Sequence, residues 1–160
     1  MTNLINDPNA SRLIYGLRDT GYNVRTAAAD IIDNSIAAGA NNINIQIDLM
    51  HDGRKLVYFG DDGCGMDQEE VHKAMRYGAD RRPDAKSLGK FGLGLKTASS
   101  SVCKRYSVIS RKTSDKPLAK LTWDLEHVES RNAWEMLADP VTADQQDVFE
   151  ELCGDMGTLV

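Results

Sequence analysis

Residues 26–40 read TAAADIIDNSIAAGA. On a helix, Val24, Ala27, Ala28, Ile31, Ile32, Ser35 and Ile36 recur at three- and four-residue spacing and form one stripe fit for burial. Asp30 and Asn34 are four residues apart, so they stand on one face a turn apart, with Asp33 beside them. An acid and a carboxamide stacked next to an apolar stripe can reach into a cleft together. Taken alone, the pattern also suits the solvated face of any amphipathic helix. Asn23 is a capping residue before the run and Gly39 a stop after it.

Outward from this helix the chain alternates short elements. Ser11 is placed to cap a helix over residues 11–20 that ends at Gly21. Ile43, Ile45, Ile47 and Leu49 alternate with Asn44, Gln46 and Asp48, which predicts a half-buried strand. Asp52-Gly53 is a hairpin turn signal, and the returning strand over residues 55–60 has an apolar run that predicts cover on both faces. Asp67 and Glu70 form a capping box for a helix over residues 68–77. Residues 78–90, GADRRPDAKSLGK, read as a long polar loop. A short helix to about Cys103 and strands over residues 106–112 and 118–125 follow. Helical signals over 131–137 and 143–152 are weaker. Gly157-Thr158-Leu159-Val160 reads as the start of a strand with no visible partner.

The 160 residues suit one domain with a real core. Hydrophobic residues at 41% and charged residues at 27% are a soluble globular composition. A net charge of −5 without a long basic run argues against a general electrostatic surface for nucleic acid. No apolar run approaches a membrane span, and no signal-peptide pattern opens the chain. Cys64, Cys103 and Cys153 are odd in number and far apart, which predicts free thiols in a reducing cytoplasm and no zinc site. His51, His72 and His127 are equally scattered and read as surface residues.

Two glycine-rich loops give the helix its meaning. The first, Asp61-x-Gly63-x-Gly65, follows a strand. A carboxylate at a strand end, beside residues that let backbone come close, can accept a hydrogen bond from a planar ligand's amino group. The pattern also suits a tight turn, but not an EF-hand, whose acidic ligands are out of register here. The second, Gly89-x-x-Gly92-x-Gly94, leads into a helix and carries Lys90 and Lys96. Exposed backbone N–H groups at a helix N-terminus make a phosphate cradle. The order of glycines excludes a Rossmann fingerprint, and the residue after Gly94 excludes a Walker A motif.

Taken together, an acid-x-x-x-Asn helix, Asp-x-Gly-x-Gly after a strand, G-x-x-G-x-G after a long loop and Gly-Thr in a final strand resemble the GHKL superfamily. That superfamily covers gyrase-type topoisomerases, heat-shock chaperone ATPases, histidine kinases and mismatch-repair ATPases. The resemblance spans Ala27 to Thr158, and the strings DNSIAAGANNINIQI, DDGCGM and GKFGLGLKTAS are most similar to the mismatch-repair and microrchidia-like branch. It implies an α/β fold, the two-layer Bergerat sandwich, with a mixed, largely antiparallel sheet covered by helices on one face. It further implies ATP as ligand, with Asn34 holding Mg²⁺ against the phosphates. Asp61 would take the adenine amino group, helped by Thr158 through a water. Gly63 and Gly65 would admit the base, with Met66 packed near it. Gly89, Gly92 and Gly94 would cradle the phosphates, with Lys90, Leu93 and Lys96 also against the nucleotide and residues 78–90 as a lid. Asp30 stands where hydrolysing members carry a glutamate base, and Ala37 where many carry an aspartate. The implied function is slow, lid-closing ATP hydrolysis, with a non-hydrolysing nucleotide-gated module and a histidine kinase catalytic domain as alternatives. The chain is expected to be a cytoplasmic, N-terminal piece of a longer protein that forms a nucleotide-dependent homodimer. Nucleic acid would be reached through other domains, and no membrane is involved.

Overall fold

A computed structural model of the chain describes residues 8–19, 21, 23–78 and 94–160. In chain order the elements are α1 (Ala10–Arg18), α2 (Val24–Ala37), β1 (Ile43–Leu49), β2 (Lys55–Asp61), α3 (Gln68–Met75), α4 (Gly94–Val102), β3 (Arg105–Arg111), β4 (Ala119–Asp124), α5 (Leu125–Arg131), α6 (Ala143–Cys153) and β5 (Gly157–Leu159). The strands form one sheet in the order β1-β2-β5-β3-β4, and each of these pairings is antiparallel. The last strand of the chain is therefore the central one. It lacked a visible partner in the sequence because both its neighbours, β2 and β3, lie far away along the chain.

Residues directly opposite on paired strands share a face, so the register sorts the side chains. Asp61, Thr158, Ser110 and Ala119 form one row across the sheet; Gly60, Leu159, Ile109 and Lys120 form the next, on the other face. On the first face Tyr106, Val108, Ala119, Leu121 and Trp123 bury against Ala10 and Ile14 of α1 and Val71 and Met75 of α3. On the second face Ile109 and Leu159 bury against Phe149 and Cys153 of α6. The fold is thus an α/β sandwich on an antiparallel sheet. The helical layer of the first face is the one the resemblance implies, and α6 adds a helix behind the sheet.

The helix termini follow local chemistry. Asn23 caps α2 by accepting from the Arg25 and Thr26 amides, and the Thr26 hydroxyl accepts from the Asn23 amide in return. Asp67 and Glu70 make the expected capping box on α3. Asn9, not Ser11, caps α1, its side-chain oxygen accepting from the Arg12 amide at 2.9 Å. The helix expected over residues 131–137 is replaced by α5, which starts at once after β4 because Asp124 accepts from the Glu126 and His127 amides. It stops at Asn132, whose φ of 46° is left-handed, and Leu137 then bridges back to Thr122 of β4.

Two burial expectations need correction. The buried stripe of α2 narrows to Ala27, Ile31 and Ser35, while Val24 and Ile36 are 71% and 59% exposed. In the β1–β2 hairpin, Ile45, Ile47, Leu49, Leu56 and Val57 are exposed. Along β2 only Gly60, which lies against Leu152 and Cys153 of α6, and Asp61, which is bonded to Ser35 of α2, are buried.

Candidate functional site

Ser35 is the polar member of the α2 stripe, and its purpose lies across the interface. Its Oγ donates to Asp61 Oδ2 at 2.8 Å, while Asp61 Oδ1 accepts from the Gly63 amide at 2.9 Å. Asp61 is 4% exposed at the last position of β2. An isolated buried carboxylate is costly, and hydrogen bonds to its charged form offset that cost. A carboxylate offers about four acceptor directions. Ser35 and Gly63 take two of them, which leaves room for a ligand N–H.

Next to Asp61 in the sheet stands Thr158, whose Oγ1 lies 2.9 Å from Ser110 Oγ. Ser110 also accepts from the Met66 amide at 2.8 Å, which ties the loop after β2 to β3. Met66 packs partly buried against the main core. The same loop is fixed at its other end by Asp62, which accepts from the Asn41 and Asn42 amides at 2.7 and 2.8 Å. Gly63 and Gly65 keep space for the protein itself. A Cβ on Gly63 would stand 2.9 Å from the Ala38 Cβ, and one on Gly65, at φ +60°, would strike the Arg111 carbonyl. Their glycine identity is thus demanded by the fold before any ligand is considered.

Asn34 sits one turn before the end of α2, and its Nδ2 donates to the Asp30 carbonyl at 2.6 Å. That bond uses Nδ2 and leaves Oδ1 as the acceptor of the amide. Asp30 is close to the start of α4: its Oδ2 lies 3.6 Å from where a Gly94 Cβ would be. The acid of α2 and the N-terminus of α4, an end that favours anions, therefore meet.

Lys96 departs from expectation. Its side chain is buried, and Nζ donates to the carbonyls of Ala74 and Arg76 at 2.9 and 3.0 Å, so it is directed to the end of α3. Gly89, Lys90, Gly92 and Leu93, with nearly all of the proposed lid, lie outside the described residues. Ser35 and Ser110 were missed by sequence reasoning. Ser35 passes as a small member of an apolar stripe, though a hydroxyl within that stripe was a usable signal; Ser110 carries none. A separate cavity of about 550 Å³ is lined by residues that include Leu13, Leu17, Tyr77, Trp123 and Trp134.

The donor set fits a nucleotide with a hard cation. Asp61 accepts, as an exocyclic amine requires, and the Asn34 amide oxygen is a hard ligand of the kind Mg²⁺ takes. Among the described residues no group of three or more His, Cys, Asp or Glu could hold a metal ion. The three cysteines are free, and burial pushes the Cys103 and Cys153 thiols up to about 11 and about 12. No helix among the described residues is long and apolar enough to cross a membrane.

The sequence profile of the histidine kinase-, DNA gyrase B-, and HSP90-like ATPases matches residues 22–158. Human ATPase MORC2 is 32% identical over 90 residues, covering 54% of this chain and 9% of the relative. The DNA mismatch repair protein MutL of Anaplasma phagocytophilum (strain HZ) is 33% identical over 111 residues, covering 66% of this chain and 14% of the relative. Protein MICRORCHIDIA 3 of Arabidopsis thaliana is 32% identical over 91 residues, covering 54% and 15% respectively. The chain thus spans only a small part of these relatives' length.

Proposed function

The chain belongs to the histidine kinase-, DNA gyrase B-, and HSP90-like ATPase family, and from that premise we propose that this domain binds Mg-ATP beside α2 and hydrolyses it slowly. The observation that carries the reading is the Asp61 carboxylate, buried at the end of β2 and held by Ser35 of the same helix that presents Asp30 and Asn34. In this reading Asp61 accepts the adenine amino group and Thr158 supports it. Asn34 contributes its Oδ1 to Mg²⁺, and the N-terminus of α4 receives phosphate. When bound, Mg²⁺ supplies charge stabilisation on the transferring phosphoryl group. Asp30 orients the attacking water and accepts its proton.

We extend the proposal to a chain that continues beyond this domain, forms a nucleotide-dependent homodimer and handles nucleic acid through other domains. A relative named as a DNA mismatch repair protein supports the second point. The three free cysteines support a reducing, cytoplasmic setting.

The test of turnover is single-turnover hydrolysis by wild type, Asp30→Asn and Asp30→Glu, after each is shown to bind ATP. Aspartate is one methylene shorter than glutamate, and a misplacement of about 1 Å can cost on the order of 10²-fold in rate. Asp30→Asn is expected to abolish turnover while binding survives, and Asp30→Glu to raise it. Hydrolysis by Asp30→Asn at the wild-type rate would remove Asp30 as the base and favour a domain that binds without turnover.

A further inference from the structure

Lys96 lies in the first turn of α4, close to the end that receives phosphate in the reading above, yet its ammonium turns the other way. It is 2% exposed and donates to the Ala74 and Arg76 carbonyls. These oxygens belong to the end of α3, where a helix leaves carbonyls unpaired and its dipole is negative. The contact is reciprocal, because the Tyr77 hydroxyl donates to the Lys96 carbonyl at 3.4 Å. The Tyr77 ring in turn packs on Trp123 and Trp134, with centroids 5.2 and 5.5 Å away.

The partner of this clasp is itself fixed. Val71 and Met75 of α3 have no exposure, and Trp123 Nε1 of β4 donates to the Met75 carbonyl at 2.9 Å. Through Lys96, then, the first turn of α4 is tied to a helix seated on the sheet. On its other side the same turn faces Asp30 across Gly94. A buried ammonium is retained only where its donors are used, and here two carbonyls use them.

We propose that Lys96 is a positioning residue of the nucleotide site: its clasp on the end of α3 sets where the α4 N-terminus stands against Asp30 and Asn34. The proposal rests on the nucleotide reading above. It separates Lys96 from the phosphates and gives its charge a target within the protein.

The experiment compares wild type, Lys96→Met, Lys96→Arg and, as a control for loss of one positive charge, Lys104→Met. Lys104 is an exposed residue paired with Glu126. Amide hydrogen exchange is measured without nucleotide, then affinities for ATP and adenosine by calorimetry. In Lys96→Met, the amides of residues 76–78 and of the first turn of α4 exchange faster than in wild type. ATP binding then weakens by about tenfold or more, while adenosine, which carries no phosphate and is held at Asp61, stays within about twofold. Lys96→Arg keeps both donations, the slow exchange and the ATP affinity; Lys104→Met changes nothing.

Weaker ATP binding by Lys96→Met with wild-type exchange would overturn the proposal in favour of a direct phosphate contact. Faster exchange with unchanged ATP affinity would reduce the clasp to a structural bond. Equal losses in Lys104→Met and Lys96→Met would make the effect one of general charge. Should Lys96→Met fail to fold, Lys96→Arg decides. Protected amides with ATP affinity retained support the clasp, and protected amides with ATP affinity lost overturn it. No ATP binding by wild type would instead overturn the nucleotide reading, and the exchange data would still report on the clasp.

Discussion

Asp61 and Asp62 are neighbours in sequence and are used on opposite sides of the same turn. Asp61 points under α2, while Asp62 accepts three donors from Asn41 and Asn42 where the chain enters β1. The Asn42 backbone amide, first among these, holds the Asp62 carboxyl below the usual carboxylate range. A depressed native pKa gives stability that is present above the unfolded value of about 3.9 and lost as pH falls through the native value. Asp62→Ala is therefore expected to lower Tm at pH 7, with the difference from wild type shrinking as pH is brought below about 4. Thermal scans of both proteins across that range check it; a difference independent of pH would remove the charge from the explanation. At this scale Asp61 was legible because its glycines follow a strand. Asp62 and Ser110 were not, because their partners come from other elements and leave no periodic trace.

Helix limits were the most legible elements, for a physical reason: caps are local. Asn23, Thr26, Asp67 and Glu70 satisfy amides within three residues, so sequence and structure agree on where α2 and α3 begin. Asn23→Ala is expected to cost about 1 kcal/mol of stability, read from the midpoint shift in urea with an unchanged slope. A loss near zero would mean that burial of Ala27 and Ile31 alone sets the start of α2. Local reading still failed in two places. The stretch over residues 131–137 has helical spacing, but the Asp124 cap starts α5 early and the left-handed Asn132 ends it. The alternation in β1 predicted one buried face, but periodicity does not say what covers that face, and Ile45, Ile47 and Leu49 are exposed.

The whole molecule places a three-residue strand, β5, between β2 and β3, and this is what brings Thr158 beside Asp61. Sequence alone supplied the residue types of the site and, through family resemblance, their association; the pairing order came only with the sheet. At the centre of the proposed site, Asp61 reads an adenine amino group. Adenine presents a donor where guanine presents an acceptor oxygen, and leaving a buried polar group unpaired costs about 1–3 kcal/mol. The direct measurement is calorimetric titration of ATP and GTP, each with Mg²⁺, into wild type and Asp61→Asn. Wild type is expected to bind ATP and to bind GTP more weakly by roughly tenfold or more, a preference that is lost in Asp61→Asn. Equal affinity of wild type for ATP and GTP, unchanged in Asp61→Asn, would contradict it.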